Sequence, residues 1–206
     1  MSILDRVEKL ELPRQPPPLS ANEPATLVEI YQRVGRDYPK PDTLNFKRDG
    51  SWHSLSAEQV LKKANAIALG LYSLGVRKGD RVALLSESRV EWVLADQGCI
   101  FAGAITVPIY PTLTSPQVAY ILKDCTPRVM FLSSRAKFEE IEDAIRDCPS
   151  LEYVVLFDAD VLSSANRLSL DEIQARGSQV EIEQPDLLSE LTAASTRRAR
   201  PASPKA

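Results

Sequence analysis

Few side chains in this sequence combine a type and a spacing that does chemistry. Glu139, Glu140, Glu142 and Asp143 crowd into one short stretch, a density that would suit a metal or an acid–base pair. Phe138, Ile141 and Ile145 fall among them at helical spacing, however, which places the acids on the solvated face of an amphipathic helix. His53 is the single histidine, so no His-based triad or multi-His metal site can be assembled within the chain. In Trp52-His53-Ser54-Leu55 it reads as a strand residue with its ring at the surface. Cys99, Cys125 and Cys148 are widely spaced, with no CxxC. They read as reduced thiols outside any metal or nucleophilic role, with Cys99 a small core hydrophobe in the apolar run Gly98–Ala104.

Two loops remain. After the first parallel strand a dinucleotide binder needs glycines, so that backbone N–H groups can approach the pyrophosphate. Here that turn is Ser86-Glu87-Ser88. It has no glycine, and Glu87 brings a carboxylate to the helix terminus where a phosphate would sit. Val107-Pro108-Ile109-Tyr110-Pro111-Thr112 is more distinctive, because two prolines around a tyrosine fix an extended exit from the sheet. Such a segment either lines a pocket or forms a structural wall, and the wall is the reading preferred. Gly79-Asp80 reads as a turn into a strand, and Gly98 and Gly103 as packing and helix-ending positions.

Composition narrows the classes of function. The 206 residues are 44% hydrophobic and 26% charged, with 25 basic and 28 acidic side chains and a net charge near −3. No basic field argues for nucleic acid. No apolar run approaches the ~18 residues of a membrane span, and Met1–Leu12 is too charged for a secretory signal. The expected location is cytoplasmic.

The elements that must position these residues are legible from periodicity. Pro13 and Pro16-Pro17-Pro18 make residues 1–25 an expected disordered lead. Thr26 with Glu29 opens a helix carrying Leu27, Ile30, Tyr31 and Val34. Asp49-Gly50 joins two short strands through a type I′ turn. Ser56 with Gln59 starts a helix bearing Val60, Ala64, Ile67, Leu71 and Leu74, ended by Gly75. Arg81–Leu85, Ala104–Ile109, Arg128–Leu132 and Glu152–Phe157 then recur about every 24 residues, room for one crossover helix per step. Ser88 with Glu91, Ser115 before Pro116, and Arg135 onward are the expected helix starts. This alternation predicts an α/β fold: an open doubly wound, mostly parallel sheet with right-handed crossovers. Ser169 with Glu172 caps a further short helix ending by Gly177. The expected folded domain is 26–191. From 192 to 206 a basic tail with Arg197, Arg198, Arg200 and Lys205 is expected to be disordered and solvated.

Taken in order, Phe46–Leu55, Leu74–Leu85 with Gly-Asp-Arg-Val, and Gly103–Asp124 resemble the early part of the N-terminal domain of adenylate-forming enzymes. The resemblance covers roughly Leu10 to Leu191 and is nearest to long-chain fatty acid–CoA ligases; Pro108–Thr112 is similar to the acyl-CoA ligase form. It implies a family that uses ATP and Mg²⁺ to make an acyl-adenylate from a fatty acid, releases pyrophosphate, and transfers the acyl group to CoA. In that family the phosphate loop and the groups that handle ATP, Mg²⁺ and CoA lie downstream. No catalytic, cofactor-binding or metal residue is therefore carried over onto this chain.

After about Ala194 the apolar periodicity is lost. The expectation is a truncated or frame-shifted N-terminal fragment, inactive alone. The alternative is a stand-alone binding or assembly module, pairing with a separate C-terminal half, with a full-length homologue or with itself as a homodimer. A weaker third reading is a small-molecule binder that uses only the sheet.

Overall fold

Helix α1 (Leu27–Asp37) begins where Thr26 Oγ1 accepts the Glu29 N–H at 3.2 Å. The computed structural model describes residues 23–158 and 165–196; the expected lead (apart from residues 23–25) and the arginines of the expected tail lie outside them. Strands β1 (Leu44–Arg48) and β2 (Ser51–Leu55) pair antiparallel from Arg48↔Ser51 to Leu44↔Leu55. Their turn has φ +50° at Asp49 and +78° at Gly50, the left-handed pair that a type I′ turn requires. Helix α2 (Ala57–Ser73) starts with the expected Ser56/Gln59 capping box and buries Val60, Ala64, Ile67 and Leu71.

The main sheet contains β3 (Arg81–Leu85), β4 (Ile105–Ile109), β5 (Val129–Leu132), β6 (Tyr153–Leu156) and β7 (Arg167–Ser169). All neighbours are parallel, in the order β4-β3-β5-β6-β7. Between and after the strands run α3 (Val90–Phe101), α4 (Ser115–Cys125), α5 (Arg135–Glu140), α6 (Glu142–Arg146), α7 (Leu170–Glu183) and α8 (Leu187–Thr196). Alternate strand residues serve opposite faces. Val82, Leu84, Val129, Phe131 and Val155 pack in one core with α2, α3 and α7. Ala83, Leu85, Met130, Leu132, Val154 and Leu156 pack in another with α4, α5 and α6. Burial on both faces explains why the strands read as unbroken apolar runs. The doubly wound α/β architecture is as expected.

Several boundaries differ. Helix α3 starts at Val90, and its N-cap, Arg89, makes no side-chain cap bond; Glu91 is held by two arginines instead of closing a box with Ser88. Thr114, not Ser115, caps α4, through a box with Gln117. The expected helix from Arg135 breaks at Ile141 (φ −115°, ψ 16°), which is fully buried. Strand β7 went unread because Leu168 is its only large apolar residue. Helix α8 runs through Thr196, beyond position 192.

The most informative difference is Gly177. It does not end α7, which continues to Glu183. A Cβ there would lie 1.8 Å from Ala66 O, and one on Gly70 would lie 2.2 Å from Ile173 O. Helices α2 and α7 thus touch backbone to backbone, and neither backbone can yield cheaply. A Cβ on Gly98 of α3 would meet Ile67 of α2 at 2.4 Å.

Gly177→Ala and Gly70→Ala are each expected to cost about 2–3 kcal/mol by forcing α2 and α7 apart. Gly50→Ala, at positive φ with nothing within 4 Å, should cost only about 1 kcal/mol. Urea midpoints of the three variants test the contrast; a neutral Gly177→Ala would refute the backbone contact.

Candidate functional site at the carboxyl ends of the strands

In open α/β sheets ligands bind beyond the carboxyl ends of the strands, where the winding reverses. Here β4 and β5 flank β3 on opposite sides, so the reversal lies between β3 and β5. A charged cluster occupies that position. Arg89 Nε donates to Glu91 Oε2 at 2.7 Å, and its Nη1 reaches Asp158 Oδ1 at 3.0 Å and Ser133 O at 3.3 Å. Glu87 Oε1 stands 3.7 Å from the same Nη1. Arg48, at the end of β1, reaches across to Glu91 Oε1 at 2.5 Å. The Arg89 guanidinium also lies over the Phe157 ring, 5.7 Å from its centre.

Burial alone would push the Glu91 carboxyl up. The hydrogen bond from Arg89, with the charges of Arg89 and Arg48, outweighs it and holds the group below the usual carboxylate range. Arg48 and Arg89 together face Glu87, Glu91 and Asp158. In this crevice the guanidinium is already engaged, and a carboxylate flanks the helix terminus.

Beside it, a cleft of about 520 Å³ is bounded by Ser86, Glu87, Trp92, Pro108, Tyr110 and Pro111. The Val107–Thr112 segment and the Ser86–Ser88 turn, separate in sequence, thus form the walls of one cleft. Lys137 of α5 steadies the exit by donating to Pro111 O at 2.9 Å. A second cleft, about 560 Å³, opens between the β1–β2 hairpin and α3, with Phe46, Trp52, Val90 and Val93 among its lining.

None of the remaining candidates is among the residues lining these two clefts. Glu139, Glu140 and Asp143 pair with Arg135, Lys137 and Arg146 on the outer side of α5 and α6. Among the described residues no three His, Cys, Asp or Glu side chains are grouped to hold a metal ion. His53 is exposed and stacks on Phe46 with ring centres 5.6 Å apart. Burial pushes the Cys99 thiol up to about 12. Gly79 and Gly103 meet, the N–H of the first donating to the carbonyl of the second at 2.9 Å. Sequence reasoning missed Arg48, Arg89 and Asp158, because Arg48–Glu91 and Arg89–Asp158 span dozens of residues and the two-residue Arg89–Glu91 step matches no motif.

Arg89→Met leaves Glu91 buried with only the half-exposed Arg48, so a loss of about 2–3 kcal/mol is expected at pH 7. Arg48→Ala should cost under about 1 kcal/mol. Because Glu91 is more acidic folded than unfolded, its contribution is present above the unfolded carboxylate pKa and lost as pH falls through the folded value. The gap between wild type and Arg89→Met in urea midpoint should therefore narrow on acidification. An equal gap at pH 7 and at about pH 3 would refute the role of Glu91.

Comparison with known proteins agrees with this architecture. The model of the family described as AMP-binding enzyme matches residues 32–200. A long-chain-fatty-acid–CoA ligase, FadD15 of Mycobacterium bovis, is 30% identical over 168 residues, covering 81% of this chain and 27% of the relative. The mouse long-chain-fatty-acid–CoA ligase ACSBG1 is 28% identical over 172 residues, 83% of this chain and 24% of its own length. Among solved structures, an anthranilate CoA ligase, AuaEII, in complex with anthranoyl-AMP superposes with a TM-score of 0.62 at 30% identity, over 76% of this chain and 29% of that one. The chain therefore spans about a quarter of the length of these relatives. No helix among the described residues is long and apolar enough to cross a membrane. With the match extending over most of its length, the chain belongs to the AMP-binding, adenylate-forming enzyme family, and corresponds to the N-terminal region of its acid ligases.

Proposed function

We propose that these residues form the opening part of a long-chain fatty acid–CoA ligase and contribute scaffold, not reacting groups. The whole reaction would join a fatty acid to CoA through an acyl-adenylate, with ATP and Mg²⁺ as reactants and AMP and pyrophosphate as products. The observation that carries this reading is the 30% identity to the mycobacterial ligase across most of the chain. The filled crevice beside β3 supports the second half of it, because ion pairs stand where a phosphate would approach. On this reading ATP, Mg²⁺ and CoA are handled by sequence of the kind that lies downstream in the family. The described residues supply a rigid two-faced sheet and the Trp92–Tyr110 cleft wall.

Two measurements test the proposal. The 206-residue chain should give no palmitate-dependent ATP–pyrophosphate exchange above a blank; exchange in a preparation free of host ligase would overturn the scaffold role. Nucleotide sequence beyond the codon for Ala194, translated in three frames, should encode an apolar strand and then a Ser/Thr/Gly-rich loop ending in Lys-Gly. Its absence from every frame would favour an assembly module, and with it a partner chain or a homodimer.

A further inference from the structure

Of the three cysteines, two are neighbours in space although they are far apart in sequence. Cys125 is the last residue of α4, and Cys148 follows α6. The two helices pack together on the face of the sheet opposite α2. Within the final turn of α4, Leu122 O accepts the Thr126 N–H at 2.9 Å. The Cys148 Sγ points at that same carbonyl, 3.8 Å away. Leu122 and Cys125 are three positions apart on the helix, so their side chains share a face with Cβ atoms about 5–6 Å apart. The Cys148 sulfur therefore sits against the turn that carries Cys125, close enough for its charge to bear on the Cys125 thiol. Both thiols are free, Cys148 buried and Cys125 half-buried.

We propose that Cys125 and Cys148 are a modification site, forming a reversible intramolecular disulfide when the protein meets a peroxide. The Cys125 thiolate attacks one peroxide oxygen, the O–O bond breaks, hydroxide leaves, and a sulfenic acid remains on Cys125. The Cys148 sulfur then displaces that oxygen, and with the protons released it leaves as water. In sum two thiols and hydrogen peroxide give one disulfide and two waters; the sulfurs are oxidised and the peroxide oxygens reduced. Ser150 Oγ lies 3.4 Å from Cys148 Sγ, within hydrogen-bond reach of that sulfur. Burial first, then the nearby Cys148 and Asp124, push the Cys125 thiol up, partly offset by its own backbone and by Arg81. The first step is accordingly slow, and the pair responds to sustained oxidant, not to a trace.

Closing the bond would tie the end of α4 to the end of α6 around β5. Cys99 provides an internal control. It is fully buried in the core on the other side of the sheet, where it cannot reach either partner.

The test is intact-mass and peptide analysis of the native 206-residue chain after hydrogen peroxide, with free thiols blocked before digestion. The expected result is a monomer lighter by about 2 Da, with the tryptic peptides of Cys125 and Cys148 joined, Cys99 blocked, and the mass restored by dithiothreitol. The thermal midpoint of the oxidised protein should rise, and the rise should vanish in Cys148→Ser. Free thiols at both positions, sulfinic acid confined to Cys125, or a bond to Cys99 or between chains would each overturn the assignment. The peptide readout needs no variant to fold.

Discussion

The structure depends on how closely backbones approach helix α2. On one side Gly177 and Gly70 let α7 lie directly on it, and on another Gly98 lets α3 close against Ile67. These contacts set the thickness of the helical layer over the sheet, and so the position of α3, whose first turn carries Arg89 and Glu91. The ion-pair cluster at the strand ends is therefore placed by packing that begins at glycines on the helix layer. Side-chain jigsaw fit tolerates volume-conserving exchange, but a helix pair in backbone contact tolerates no added atom.

Much of the fold was legible because its signals are local. The Asp49-Gly50 turn, the Ser56/Gln59 box and the strand–helix period each need only a few neighbouring residues. What stayed hidden is non-local. Strand order cannot be read from period alone, and neither can the reversal between β3 and β5. Gly177 looked like a helix end because glycine serves both as a terminator and as a contact point; only the partner backbone at Ala66 distinguishes them. Ser88 and Glu91 matched a capping pattern, yet Glu91 found stronger partners in Arg89 and Arg48.

The candidate site was legible in half. Its wall, Val107–Thr112, announced itself through two prolines around a tyrosine. Its charged floor did not, since Arg48, Arg89 and Asp158 come from three separate elements. The floor also marks where this sheet differs from dinucleotide-binding folds. Where those folds expose helix N–H groups, this one presents an arginine already paired with acids.

The α2–α7 contact has a consequence for how the chain is made. Gly70 and Gly177 are separated by about 100 residues of sequence. At ribosomal speeds that interval is roughly 5–20 s. Through it the side of α2 that α7 will cover emerges with nothing to lie against, exposing Ala66 and the groove at Gly70 to whatever is nearby. The nascent protein therefore needs cover from ribosome-associated chaperones until the polypeptide has been extended past Gly177, and slow codons in that interval would lengthen the exposure.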